Sequence, residues 1–143
     1  MAKIYLASSW RNPDQPEALA LLRSAGHEVY DFRNPAPGNT GFSWSAIDPA
    51  WMQWSTEQYV AALAHPLAED GYALDFGAMK WADTFVLLLP CGRSAHLEAG
   101  WAAGAGKALY VVHPDGQEPE LMAKMATHIV PLVSDVVDLL ADQ

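Results

Sequence analysis

Apolar runs of strand length alternate with stretches of helical spacing along the whole chain. Residues 3–7, KIYLA, read as a first strand, followed by a polar turn at residues 8–12. Over residues 13–25, Ala18, Leu19, Leu22 and Ala25 recur at helical spacing, and Gly26 is a suitable stop. Residues 27–32 predict a second strand, with β-branched and aromatic content. Residues 33–47 hold two prolines and two glycines among Asn34, Asn39, Thr40 and Ser43, and read as a long loop. Long loops inside compact domains are more often functional than idle. Asp48-Pro49 predicts a helix cap followed by proline at the first helical position, with the helix running to about residue 64. A further helix is expected over residues 67–81, weakened by Gly71 and Gly77. Residues 84–89 are apolar throughout, a buried central strand.

Next come a tight turn and a helix within residues 91–107, CGRSAHLEAGWAAGAGK, with Gly92, Arg93 and Ser94 in the turn and Glu98 expected in the first helical turn. A strand at 108–113, a loop at 114–118, a short helix at 119–126, a strand at 128–131 and a helix at 134–141 complete the chain. This alternation predicts an α/β protein with a parallel sheet covered by helices on both faces. Five strands suggest the order 2-1-3-4-5, a Rossmann- or flavodoxin-like arrangement. With no repeat or linker, residues 1–143 are expected to form a single domain. In that order strands 1 and 3 are neighbours at the switch point, so turns 8–12 and 91–94 would face each other across one crevice.

Composition narrows the function classes. A formal charge of −9 argues against a nucleic-acid polymer as partner, because such binding needs clustered Lys and Arg. No apolar run reaches membrane-span length, and the N-terminus goes straight into a strand with no signal-peptide pattern. One cysteine fits a reducing, cytoplasmic setting. The histidines show no metal-ligand spacing, so no metal is expected.

Residues 100–107 invite a phosphate-loop reading, but Trp101 stands where the first glycine would be and Ala108 follows Lys107. Close packing of helix on sheet is the expected use of these glycines. The dinucleotide fingerprint G-x-G-x-x-G is absent after the first strand. Glu98 has two readings: an acid complementing the helix dipole, or a carboxylate kept ionised there as a nucleophile. A capping box does not explain it, because with Ser94 as cap the third position is Leu97. Asp75 lies in a mostly apolar stretch, where a charge is costly unless paired or used. Asp75, Met79 and Asp83 are spaced by four and share a side if the helix extends that far; Asp83 reads equally as a strand-end residue. Two carboxylates across a crevice would suit glycosidic-bond chemistry. Ser9, Arg11, Arg93 and Ser94 are candidates for holding an anion, or serve as caps and surface charge. Cys91 and His96 are either a thiolate–imidazole pair or a structural cysteine with a bystander. Phe42, Trp44, Trp51, Trp54 and Tyr59 read as core or subunit contact, or as a lid stacking on a flat ligand.

Three short motifs, in this order, carry a resemblance: Lys3-Ile-Tyr-Leu-Ala-Ser-Ser, Asp75 with Asp83 eight residues on, and Glu98-Ala-Gly100 in a helix ending at Gly106-Lys107. They resemble the nucleoside 2-deoxyribosyltransferase superfamily, which includes nucleoside-monophosphate N-glycosidases. The resemblance implies a Rossmann-like fold and cleavage of an N-glycosidic bond through a covalent glycosyl intermediate on Glu98. It gives Tyr5 the orientation of that glutamate, and Asp75 the base and its proton. Substrate-binding candidates are Ser8, Ser9, Arg11, Phe42, Trp44, Asp83, Gly92, Arg93 and Ser94. The family's transferases carry an aspartate six residues before the glutamate, where Gly92 stands here. Its monophosphate hydrolases often carry serine there and a Gly-rich, Arg-containing turn after the first strand; this chain has Ser94 two places later and a first turn ASSWRNP. Transfer to another base, hydrolysis of a 5′-monophosphate, and a non-catalytic nucleotide-binding or signalling module therefore all stay open. The expected partner is a small nucleoside or nucleotide, without a cofactor, nucleic-acid polymer or membrane, in a homo-oligomer.

Overall fold

A computed structural model describes all 143 residues, Met1–Gln143. Its elements in order are β1 (Lys3–Ala7), α1 (Gln15–Ser24), β2 (Glu28–Tyr30), 3-10 turns at Trp44–Ala46 and Trp51–Gln53, α2 (Thr56–Leu63) and α3 (Pro66–Trp81). Then follow β3 (Thr84–Leu88), α4 (Arg93–Gly104), β4 (Ala108–Val112), a 3-10 turn at Leu121–Met125, β5 (His128–Val130) and α5 (Val133–Ala141). The chain divides into two compact units, one of Met1–Asp31 with Met79–Gln143, the other of Phe32–Ala78.

The first unit holds the whole sheet. Its order is β2-β1-β3-β4-β5 and every pairing is parallel, as the alternation of strand and helix predicts. β1 and β3 are adjacent, so the switch point lies between them. Alternation along each strand sends its side chains to two faces. On one face Ile4, Leu6, Val86, Leu88, Tyr110 and Val112 pack against Ala18 and Leu22 of α1 and Val136 and Leu140 of α5. On the other face Tyr5, Phe85 and Leu109 stand in register across β1, β3 and β4, and α4 covers them. Helices thus flank both faces.

Helix ends are closed by local chemistry. α4 stops at Gly106, whose φ of 77° suits glycine, with Gly106 N–H donating to Ala103 and Lys107 N–H to Ala102. Gly26, at φ 93°, closes α1 in the same way. Gly100 and Gly104 do not serve the close packing expected of them: a Cβ at either would meet open space. The close approach belongs instead to Ala95, Ala99 and Ala102, all buried.

In the second unit, Asp48 does not start a long helix. Its carboxylate accepts from Ala50 N (2.9 Å) and Trp54 Nε1 (2.7 Å), which holds it in a turn and keeps its carboxyl below the ordinary value, the Trp54 bond being the larger cause. The cap is Ser55: its Oγ accepts from Gln58 N at 3.1 Å, while Ser55 N donates to Gln58 Oε1 at 2.8 Å. Trp44 stands edge-on to Phe42 (4.8 Å), Trp54 (5.7 Å) and Tyr59 (5.9 Å), forming an aromatic nucleus for this unit.

Candidate active site

Tyr5 sits at the middle of β1, paired in register with Tyr30 of β2 and Phe85 of β3. Its ring stacks on both neighbours, with centroids 5.4 Å and 5.0 Å away, and is buried. Each such contact contributes ~0.5–1.5 kcal/mol beyond area burial, so the ring is held from two sides. Its hydroxyl donates to Oε2 of Glu98. Glu98 reaches down from α4, on the same helix face as Trp101, which packs 6.1 Å from Phe85. The alanine face of α4 lets the helix approach closely enough for this bond.

Glu98 is not in the first turn of its helix. The cap is Gly92 rather than Ser94, Arg93 is the first helical residue, and the first turn holds no acid. The favourable field of a helix N-terminus falls off within one turn, so it does little for a carboxylate in the second. What the structure supplies is the Tyr5 hydroxyl.

The two turns at the switch point come together as the strand order requires. Ser8 Oγ donates to Leu88 O at 2.9 Å. Asn12, 1% exposed, donates through Nδ2 to Ser8 Oγ and to Pro90 O, each at 3.2 Å. Its Oδ1 accepts from Asp14 N at 2.9 Å, forming an Asx turn ahead of α1. Ser8 is thus part of a brace between the turns. Ser9 Oγ accepts from Arg11 N at 3.1 Å. Arg11, Gly92, Arg93 and Ser94 are exposed, the last two at the start of α4.

Burial, and secondly the negative charge of Glu98, push the Cys91 thiol up to about 11. A thiol in that state is protonated at neutral pH, which removes the thiolate–imidazole reading of Cys91 and His96; His96 is exposed. Lys107 has a structural duty: its ammonium donates to the carbonyls of Met79 (3.0 Å), Lys80 (2.8 Å) and Ala82, around the carboxyl end of α3, and lies 5.5 Å from the Trp101 ring.

Asp83 lies apart from this group. α3 ends at Trp81, so Asp83 does not share a helix face with Asp75. It precedes β3 at the amino end of the sheet, where its carboxylate accepts from Lys3 N (3.2 and 3.3 Å) and Thr84 Oγ1 (2.7 Å). Tyr5 and Glu98 meet over the other face of the sheet, and the braced turns lie at the carboxyl ends of its strands. Asp75, half-buried on α3, and Phe42 and Trp44 belong to the second unit. Asn12 is the residue that sequence reasoning overlooked. Asn-Pro-Asp signals a turn, but nothing local in the sequence announces a bond to Pro90. No cluster of three or more His, Cys, Asp or Glu side chains is placed to hold a metal ion. No helix is long and apolar enough to cross a membrane.

Solved structures share this architecture. The 2-deoxyribosyltransferase of Bacillus psychrosaccharolyticus superposes with a TM-score of 0.63 at 22% identity, over 94% of this chain and 90% of that one. Its fold is that of a 2-deoxyribosyltransferase. The CMP N-glycosidase of Clostridium botulinum matches with a TM-score of 0.52 at 18% identity, over 96% of this chain and 97% of that one. A conserved protein from Enterococcus faecalis matches with a TM-score of 0.61 at 15% identity, over 99% and 98%. No protein-family model matches the chain, and no curated protein matches it in sequence. At these identities the likeness is one of fold, and the chemistry has to be argued from the residues.

Proposed function

We propose that this chain cleaves the N-glycosidic bond of a nucleoside or nucleotide, with Glu98 as nucleophile, and passes the (deoxy)ribosyl group to another base. The observation that carries this reading is the hydrogen bond from the buried Tyr5 hydroxyl to Glu98 Oε2. A carboxylate attacking carbon must present one oxygen along a set direction, and a rigid donor on the other oxygen fixes that direction. The aromatic stack around Tyr5 makes the donor rigid.

A Glu98 oxygen attacks C1′, the C1′–N bond breaks, and its electron pair leaves with the base. The departing base takes a proton, for which Asp75 is the proposed donor on the strength of the resemblance alone. A nitrogen of a second base, or water, then attacks C1′ and displaces Glu98, and Asp75 takes the proton that this acceptor loses. Two displacements retain the anomeric configuration. Nothing in these steps uses a cofactor.

The exposed Arg93 and Ser94 at the start of a twelve-residue helix, with exposed Arg11 on the neighbouring turn, favour a second reading, a 5′-monophosphate N-glycosidase. Incubating the protein with the common 2′-deoxynucleosides and their 5′-monophosphates, with and without a second free base, separates the two. Transfer yields an exchanged nucleoside only when base is added. Hydrolysis releases base and sugar phosphate whether or not base is added. Either activity disappears in Glu98→Ala; a Glu98→Ala variant working at the wild-type rate overturns the assignment. Ligand-induced thermal protection with no product would support a non-catalytic module.

A further inference from the structure

We infer that Asn12 is a positioning residue that sets how tightly the sugar end of the substrate is held, by locking the β1–α1 turn to the β3–α4 turn. This rests on the reading of the site just proposed. The brace is complete and buried. Asn12 donates one amide hydrogen across the switch point, to Pro90 O, and the other within its own turn to Ser8 Oγ, while its Oδ1 accepts from Asp14 N. Ser8 passes the tie on to Leu88 O, the last residue of β3. A buried amide whose donors and acceptor are all matched is rigid, because every displacement leaves a polar atom unsatisfied.

The consequence follows from chain connectivity. Pro90 lies two residues before Gly92, the cap of α4, and the helix opens on Arg93 and Ser94. On the other side Asn12 directly follows Arg11, and its own N–H bonds to Ser9 O at 3.1 Å. The separation between the two sets of donors, half-buried Ser9 with exposed Arg11 and exposed Arg93 with Ser94, is therefore held by this side chain together with Ser8. Glu98 has its own tether, the Tyr5 hydroxyl, which comes from the middle of β1 and does not pass through Asn12. Holding the substrate and aiming the nucleophile thus depend on different supports.

Asn12→Asp removes the cross-turn tie to Pro90 and the bond to Ser8 that supports it. The acceptor toward Asp14 N is kept, while both donors become an oxygen facing two acceptor oxygens. The measurement is steady-state kinetics on the common 2′-deoxynucleosides and their 5′-monophosphates, with calorimetric titration of the same compounds and thermal unfolding of each variant. For Asn12→Asp we expect KM and Kd to rise about tenfold, equivalent to ~1.4 kcal/mol, with kcat within about threefold of wild type. Tyr5→Phe is expected to do the reverse, lowering kcat at nearly constant KM. A merely structural role would lower the melting temperature and the active fraction while leaving KM and Kd alone, and that outcome overturns the inference. If Asn12→Asp does not fold, Ser8→Ala serves: it removes one acceptor of the amide and the tie to Leu88, and should raise KM and Kd by a smaller factor, about threefold. Unchanged values there overturn the inference equally. Binding without turnover in the wild type would defeat the catalytic reading while the Kd comparison still decides the role of Asn12; neither binding nor turnover would defeat both.

Discussion

Replacing Tyr5 by Phe removes one oxygen and little else. The ring keeps its stacking on Tyr30 and Phe85, and its buried place in β1. What is lost is the donor to Glu98 Oε2. Hydrogen bonds to charged groups contribute ~1.5–3 kcal/mol, so a nucleophile losing its aim should slow by about 10- to 150-fold. Glu98 is only half-buried, so water can take over the vacated position and the fold should suffer little. The expected melting temperature change is within about 3 °C. The assay is kcat and KM for base release, beside thermal unfolding monitored by circular dichroism. A kcat within twofold of wild type would refute the idea that this hydroxyl orients the attacking group. A large loss of stability with a proportionate loss of active protein would show that the oxygen serves the core instead.

Three further outcomes follow from individual side chains. His27 Nδ1 accepts from Ala2 N at 2.9 Å, and burial, followed by the charge of the N-terminus, lowers its affinity for protons, against an upward pull from Asp83. The folded state therefore binds this proton more weakly than the unfolded one. The contribution of His27 is complete above the ordinary value of 6.5 and is lost as pH falls below it; urea midpoints measured from pH 7.5 to 5.5 should fall more steeply in wild type than in His27→Gln, and equal slopes would contradict this. Lys107→Met keeps the stem over Trp101 but strips the donors from the end of α3, and should cost ~1–3 kcal/mol, roughly 3–10 °C in melting temperature; an unchanged value would show that the cap contributes nothing. The Cys91 thiol should react with iodoacetamide along a pH curve centred near 11, and Glu98→Gln should move that curve down by removing the secondary cause while burial remains; a wild-type curve centred at 9.0 would contradict the environment described.

The sheet was legible because its signal is repeated. Each apolar run, such as Thr84–Leu88 or Ala108–Val112, is bounded by a turn and followed or preceded by helical spacing, and the handedness of parallel crossovers leaves few orders open. The structure departs from the sequence expectation where a local rule meets a competing partner. Asp48-Pro49 has the form of a helix start, yet the side chain is taken by Ala50 N and the Trp54 indole, and the helix waits for the Ser55–Gln58 box. Ser94 has the form of a cap for α4, but the backbone turns helical two residues earlier, after Gly92, and this moves Glu98 into the second turn. The glycines of residues 100–107 suggested close packing, whereas alanines make the contact and only Gly106 needs its backbone freedom. The bond from Asn12 to Pro90 has no sequence signal, since it joins residues 78 positions apart. Of the candidate site, the sequence could rank Glu98 and the flanking turns; which atom holds Glu98 depends on the register of a helix over a strand, and this is a tertiary fact.

Covalent bonding of Glu98 to C1′ has a direct test. The protein is incubated with a 2′-deoxy-2′-fluoro nucleoside and its 5′-monophosphate, whose electron-withdrawing substituent slows both formation and breakdown of a glycosyl ester, and a good leaving base keeps formation the faster step so that the ester accumulates. The intact mass is then read and the adduct is mapped by peptide fragmentation. A single added fluoroglycosyl group is expected on the peptide containing Glu98, absent in Glu98→Ala. An adduct on another residue, or turnover of the natural substrate with the fluoro compounds leaving no adduct at all, would contradict it.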